Sequence, residues 1–312
     1  MNRKRIAILG ATSHIASGLI FSFARCRQHD LHLFARSTDR AMAMLQAIDC
    51  REMPVDHLER FTGGSYDVVI NCIGIGKPSQ LAVDPSRIFS VTEKYDDYVI
   101  AYLETHRDCL CINFSSGIVY GAGKSSPVSE DELSSININH LQPEDSYMIA
   151  KINSEAKHRV LSYLNIIDLR VFAYFSRFID PESCFFITEL ISYLKAGKVF
   201  ATGPDDMVRD YIHPDDLYSL VMKAVECRRG NDVFDAYSLK PVGKFEMLDY
   251  FARNHGLKYN IVESAKTDSA TGKKDLYYSL SRKAEVLGYH PKFTSMDSII
   301  QESKILLAEA GR

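Results

Sequence analysis

Apolar residues recur along this chain in two rhythms that take turns. Short, nearly continuous apolar runs at 5–9, 31–35, 67–73, 110–114 and 166–172 alternate with longer stretches whose apolar positions fall three or four apart. A strand covered on both faces reads as a continuous run, whereas a helix packed on one side reads with a 3.6-residue period. The runs are therefore expected to be strands, and helices to lie at 15–25, 38–47, 91–104 and 147–164. This alternation predicts an α/β fold with a Rossmann-type doubly wound parallel sheet. After residue 172 the rhythm loosens, and helices expected at 185–196, 215–227 and 244–255 are separated by charged and glycine-containing stretches. There is no internal repeat and no low-complexity linker. The chain thus reads as a dinucleotide-binding domain over 1–172 and a smaller, mixed α/β substrate-binding region over 173–312, with segments around 205–228 packing back on the first.

Composition narrows the class. The 312 residues are 46% hydrophobic and 25% charged, as in an ordinary globular protein, and the formal net charge of -3 gives no broad electrostatic case for nucleic acid or a membrane surface. The basic start, Met1 to Arg5, is followed by an apolar run that breaks at Gly10, too short for a signal sequence, and no stretch approaches the roughly 18 apolar residues of a membrane span. A cytoplasmic protein is expected. The cysteines number seven, with no C-x-x-C pair, and read as small buried hydrophobes kept reduced, not as a disulfide or metal framework.

The first strand runs into Gly10-Ala11-Thr12-Ser13-His14-Ile15-Ala16-Ser17-Gly18 and then a helix. A tight turn at a helix N-terminus offers free backbone N–H groups and the positive end of the helix to a pyrophosphate. Gly10, Thr12, Ser13, His14 and Ile15 are the candidate phosphate contacts, with the Ser13 hydroxyl placed to donate a hydrogen bond. The second strand ends at Arg36-Ser37 with no Asp or Glu to hold a ribose 2′-OH. A cation and a hydroxyl there, with Arg40 nearby, suit a 2′-phosphate, so NADP(H) is preferred and NAD(H) is possible. Cys72, Ile73 and Gly74, after the 67–73 run, are further candidates for the cofactor.

Tyr147 and Lys151 stand four positions apart, on one helical face, and the 110–114 strand leads into Ser115-Ser116. Hydride transfer at a carbonyl needs a proton delivered to the oxygen. A phenol, with a pKa of about 10, does this poorly unless a neighbouring ammonium favours its ionised form. Ser116 would hold the reacting oxygen, and Tyr147 would touch both cofactor and substrate.

Together these motifs resemble the extended short-chain dehydrogenase/reductase family of NAD(P)-dependent nucleotide-sugar epimerases, dehydratases and reductases. The resemblance runs from about residue 6 to 293 and includes Asp67-Val-Val-Ile-Asn-Cys-Ile, Leu169-Arg-Val-Phe172, Arg209-Asp-Tyr-Ile-His-Pro-Asp-Asp216-Leu and Leu287-Gly-Tyr-His-Pro-Lys-Phe293. It implies that Ser116, Tyr147 and Lys151 carry catalysis, with Lys151 on the nicotinamide ribose, and that Arg209 contacts the diphosphate of a nucleotide-linked sugar. It also implies a homodimer formed through the helices at 91–104 and 147–164, whose Tyr95, Tyr98 and Tyr102 make an aromatic stripe. His213, Asp215 and Asp216 read as a turn and helix start, with no metal expected.

The chain departs from the family pattern at several positions, beginning with Ser13 and Ala16, where the family's turn usually carries glycine. Ala173, a substrate-side position, stands where relatives often have Asn, and Gly117-Ile118 follows Ser116 where dehydratases have Asp-Glu. The reaction expected is reduction of a keto group, at C4 of a nucleotide-linked deoxysugar, by NADPH. The alternative is a nucleotide-sugar C4-epimerase with bound NAD(P), and a non-catalytic cofactor sensor is a third reading.

Overall fold

A computed structural model describes residues 2–76, 78–121, 126–227, 230–263 and 275–308. The first half is built as β1 (Arg5–Leu9), α1 (His14–Cys26), β2 (Asp30–Ala35), α2 (Thr38–Ala47), β3 (Val55–His57), β4 (Val68–Asn71), α3 (Pro78–Val83), α4 (Arg87–Thr105), β5 (Leu110–Ser116), α5 (Ser146–Val160) and β6 (Ile166–Val171). The second half contributes β7 (Ala173–Tyr174), α6 (Phe186–Lys195), β8 (Phe200–Thr202), β9 (Val208–Arg209), β10 (Tyr211–Ile212), α7 (Pro214–Glu226), β11 (Asn231–Ala236), β12 (Val242–Gly243), α8 (Lys244–His255), β13 (Tyr259–Ile261), β14 (Leu276–Tyr277) and α9 (Ser295–Ala308).

The main sheet has seven parallel strands in the order β11-β6-β5-β4-β1-β2-β3. The chain winds outward from β1 in both directions, so the order reverses between β1 and β4. An open α/β sheet parts its loops at that point, beyond the carboxyl ends of the strands. Strands β1, β4 and β5 are buried almost throughout, as their unbroken apolar runs predict.

β6 is buried just as deeply yet carries Asp168, fully enclosed. Its charge is met by Arg159 Nη2 at 2.9 Å, by His158 Nδ1 at 3.0 Å and by Asn113 Nδ2, which donates to it at 2.7 Å. The last strand, β11, lies beyond the 205–228 stretch expected to return to the cofactor half. Its buried Asp235 accepts hydrogen bonds from Tyr120 and Ser279.

The aromatic stripe of α4 is committed within the chain. Tyr102 is buried with its ring 4.4 Å from Phe61, and Tyr98 Oη donates to Leu58 O at 3.3 Å. The expectation that the cysteines are buried holds for Cys50, Cys72, Cys109 and Cys111. It fails for Cys26 and Cys184, which are exposed because they sit at a helix end and in a loop, and Cys227 is half-buried. None of the seven forms a disulfide among the described residues. No helix among the described residues is long and apolar enough to cross a membrane.

Candidate active site

At the sheet's switch point β1 runs into Gly10, whose φ of +74° is a left-handed conformation that favours glycine. A Cβ there would stand 3.0 Å from the backbone carbon and oxygen of Cys72, at the end of β4. The amides of Gly10 and Ala11 donate to Phe34 O at 2.9 and 3.1 Å, tying the turn to β2. Ser13 then caps α1. Its Oγ accepts the Ala16 amide at 3.3 Å, and its backbone carbonyl accepts the Ser17 amide at 2.9 Å. The Ser13 hydroxyl, expected to reach a phosphate, is engaged in that cap and also faces the Cys72 thiol, whose pKa burial pushes up. The opening amides of α1, His14 and Ile15, lack an intrahelical acceptor, which is the arrangement that can seat an anion. Thr12 borders the same cavity.

The His14 side chain turns to the segment that follows β6. Its Nε2 lies 2.8 Å from Ser176 Oγ, and its ring centroid lies 4.6 Å from that of Tyr174. Burial drives its pKa down to about 3, against a small opposing pull from Ser176, so the ring is neutral. Gly18, one turn on, lets the Tyr174 hydroxyl approach the helix where a Cβ would overlap it.

Gly10→Ala is expected to lose about 1–3 kcal/mol from the left-handed conformation, with further loss from the Cys72 contact. Thermal unfolding with and without NAD+ or NADP+ checks this. A wild-type Tm with an intact cofactor-induced rise would show that the turn tolerates a side chain.

Arg36 is exposed at the end of β2 and borders the cavity with Ser37 and Arg40. Ser37 Oγ accepts the Arg40 amide at 3.3 Å as the N-cap of α2, a bond that takes one of its two lone pairs and does not use its hydrogen. This half of the site fits a nicotinamide dinucleotide. The turn at Gly10 is open to backbone approach, two helix amides lack intrahelical acceptors, and a cavity of about 1350 Å³ runs from there past Cys72, Ile73 and Gly74 to Ser116, Tyr147 and Lys151.

Ser116 closes β5, buried, and its Oγ accepts the Ile118 amide at 3.3 Å. Tyr147 is half-buried on α5, and the buried Lys151 donates from Nζ to Phe114 O at 2.9 Å, so its ammonium is anchored to the end of the same strand. Arg209 enters the cavity from β9. Nη1 donates to two backbone carbonyls, Val208 O at 3.0 Å and Asp275 O at 3.5 Å. Burial lowers its pKa from an ordinary value far above neutrality, and the group stays a cation. A half-buried cation held by carbonyls suits an anionic ligand.

The rest of the Arg209–Asp216 motif builds the frame. Asp210 accepts the Ser238 amide at 3.1 Å, His213 Nδ1 caps α7 by accepting the Asp215 amide at 3.1 Å, and Asp216 accepts the amides of Lys292 and Phe293, each at 3.0 Å. The two sequence motifs thus meet, and the His213 ring stacks on Phe293 at 3.9 Å. Ala173 borders the cavity from β7. Gly117 is pressed against Phe172, whose ring occupies the place of a Cβ, so the carboxylate that dehydratases carry after the catalytic hydroxyl has no room.

One residue of the site was not read from the sequence. The Tyr277 hydroxyl lies 2.9 Å from Ser116 Oγ, and Tyr277 sits on a two-residue strand too short to leave a periodic signal.

The sequence profile of the NAD dependent epimerase/dehydratase family matches residues 6–239. Comparison with curated proteins finds no match. Among solved structures, UDP-glucose-4-epimerase from Stenotrophomonas maltophila superposes with a TM-score of 0.82 at 16% identity, covering 99% of each chain; that structure holds NAD and formylated UDP-arabinopyranose. UDP-glucuronic acid 4-epimerase from Bacillus cereus, with UDP-glucuronic acid and NAD, gives 0.79 at 18% identity over 98% of this chain and 99% of that one. ADP-L-glycero-D-manno-heptose-6-epimerase from Helicobacter pylori gives 0.78 at 14% identity over 98% and 97%. At such identities the superpositions speak for the fold. The profile match, spanning the phosphate turn, the Ser–Tyr–Lys set and the Arg209 motif, makes this chain a member of the NAD-dependent epimerase/dehydratase family, the extended short-chain dehydrogenases/reductases.

Proposed function

We propose that the protein is a nucleotide-sugar epimerase that works with a bound nicotinamide dinucleotide. The observation that carries this reading is one continuous cavity shared by the phosphate turn, the Ser116–Tyr147–Lys151 set and the Arg209 guanidinium. When bound, the nicotinamide supplies hydride exchange. Gly10, Thr12, Ser13, His14 and Ile15 would surround its pyrophosphate, with Arg36 and Ser37 at the adenosine ribose and Cys72, Ile73 and Gly74 along its length. Tyr147 takes the proton from the sugar hydroxyl as the carbon is oxidised and returns it on reduction. Lys151 favours the phenolate by its charge, and Ser116 donates a hydrogen bond to the reacting oxygen. Arg209 holds the diphosphate, which keeps the nucleotide in place while the sugar presents its other face. The division of labour between a cofactor half and a substrate half follows from this arrangement. A dimer through α4 and α5 rests on the family resemblance, and sedimentation of the purified chain checks it.

The structural neighbours that carry NAD and UDP-sugars support the epimerase over the ketoreductase first expected. The reductase keeps one observation in its favour: Arg36 at the end of β2, with no acid beside it to hold a ribose 2′-OH. An epimerase returns its hydride and can run on either nucleotide, so the two questions separate. UDP-glucose, UDP-glucuronic acid and UDP-N-acetylglucosamine are incubated with the protein and their C4 epimers sought, with no net NAD(P)H consumed. Stoichiometric NADPH oxidation by 4-keto nucleotide sugars, without interconversion of stable sugars, would reject the epimerase.

For the cofactor, NADP+ is expected to raise the Tm more than NAD+, and Arg36→Asp to reverse the order. Equal shifts from the two nucleotides in the wild type would mean that Arg36 selects neither.

A further inference from the structure

Two phenols border the reacting end of the cavity, and their surroundings differ. Tyr147 stands one helical turn from Lys151 on α5. Tyr277 stands on β14, whose pairing with β9 sets it opposite Arg209, and the guanidinium carbon lies 5.8 Å from its ring centre. Phe172 packs on the same ring at 5.1 Å, so its position is held from two sides. The Tyr277 hydroxyl lies 2.9 Å from Ser116 Oγ, where either atom can be the donor.

The direction of that bond decides what Ser116 can do. A serine hydroxyl has one hydrogen to give and two lone pairs to receive. The Ile118 amide occupies one lone pair at 3.3 Å. If Ser116 gave its hydrogen to Tyr277, it would have none for a substrate oxygen. If Tyr277 gives its hydrogen to Ser116, both lone pairs are filled and the serine hydrogen is left to face the cavity. Only the second arrangement lets Ser116 serve the donor role proposed above. Burial pushes the Tyr277 pKa well above the usual phenol value, which keeps its hydrogen in place, although the contact with Ser116 pulls the other way.

We infer that Tyr277 is a positioning residue that fixes the Ser116 hydroxyl as a donor toward the reacting sugar oxygen. Hydrogen bonds in a chain polarise one another, so the received bond also makes the serine a better donor. Because β14 and β9 are paired, the strand that carries the diphosphate-facing cation also registers the phenol that sets the serine. The inference rests on the catalytic roles proposed above for Ser116 and Tyr147.

The test is a double-mutant cycle of Tyr277→Phe and Ser116→Ala, run on whichever of the three UDP-sugars named above turns over fastest. Tyr277→Phe keeps the ring against Phe172 and Arg209 and removes only the hydroxyl. It is expected to lower kcat about tenfold, the size of one net hydrogen bond, with KM within about twofold and Tm close to wild type. In the Ser116→Ala background the same change is expected to cost almost nothing, because the group it acts through is gone. A purely structural role would instead lower Tm or raise KM and would add in full to Ser116→Ala. Wild-type kcat in Tyr277→Phe, or full additivity, overturns the inference. Tyr147→Phe in parallel separates the two levels. If it abolishes turnover while Tyr277→Phe does not slow it, only the positioning role fails. If Tyr147→Phe stays active, or no sugar is turned over, the parent reading fails and takes this inference with it.

Discussion

Tyr147→Phe is expected to lower turnover by about three orders of magnitude while leaving the fold and cofactor binding intact. The substitution removes one oxygen and keeps the ring at the same place on α5. The loss is large because no neighbour can stand in for the missing acid–base group. Burial holds the other phenol, Tyr277, in its protonated form. His14, the one histidine among the cavity residues, is hydrogen-bonded to Ser176 with its pKa near 3. Lys151 is tied to Phe114 O, and the role proposed for it is through its charge. The check is kcat on a UDP-sugar beside the cofactor-induced rise in Tm. A variant that keeps more than a tenth of the wild-type rate with an unchanged Tm would remove Tyr147 from the chemistry.

The largest effect on stability is expected at Asp168. This fully buried carboxylate serves His158, Arg159 and Asn113 together, and His158 Nε2 reaches Asp96 Oδ1 at 2.6 Å on its far side. Removing one member of a buried charge cluster leaves the others uncompensated, which costs about 3–5 kcal/mol. Asp168→Asn is therefore expected to lower the Tm by on the order of 10 °C.

The same cluster gives a pH signature. Burial by itself would depress the His158 pKa, but Asp168 and Asp96 outweigh it and raise it from 6.5 to about 9. The folded protein holds this proton more tightly than the unfolded chain. The stability it contributes is complete below about 6.5, falls as pH rises and is gone once pH has passed about 9. Urea denaturation of the wild type at pH 6.5 and 9.5 should show that loss, and Asp168→Asn should show less of it. A stability equal at the two pH values would exclude a protonated His158. The cluster also bears on catalysis, since Ser154 and His158 bind Asp96 from the helix that presents Tyr147 and Lys151.

Much of this was readable because it follows from local rules. Continuous apolar runs marked β1, β4 and β5. The spacing of Tyr147 and Lys151 placed them on one face, and Gly10 marked the turn. What escaped depends on contacts across the chain. Asn231-Asp-Val-Phe-Asp-Ala236 does not read as a core strand, because Asp235 is tolerated through Tyr120, Arg170 and Ser279, all more than forty positions away along the chain. Tyr277 is placed by a two-residue pairing with β9, which no period can reveal. Ser13 and Ser37, expected beside phosphate, also accept an amide each as helix caps, a second use that their sequence positions do not reveal. A hydroxyl before a helix serves either purpose, and local sequence does not separate them.

The position of β11 has a consequence for biosynthesis. As the chain leaves the ribosome, β6 is complete long before its outer neighbour exists, because residues 231–236 are made about sixty positions later. Until then β6 presents unpaired backbone groups along an apolar edge, a template for pairing with another nascent chain. A fragment ended at Phe172 would carry that bare edge permanently. It would also lack the Tyr277 hydroxyl beside Ser116, so even a soluble half-molecule would hold an incomplete site.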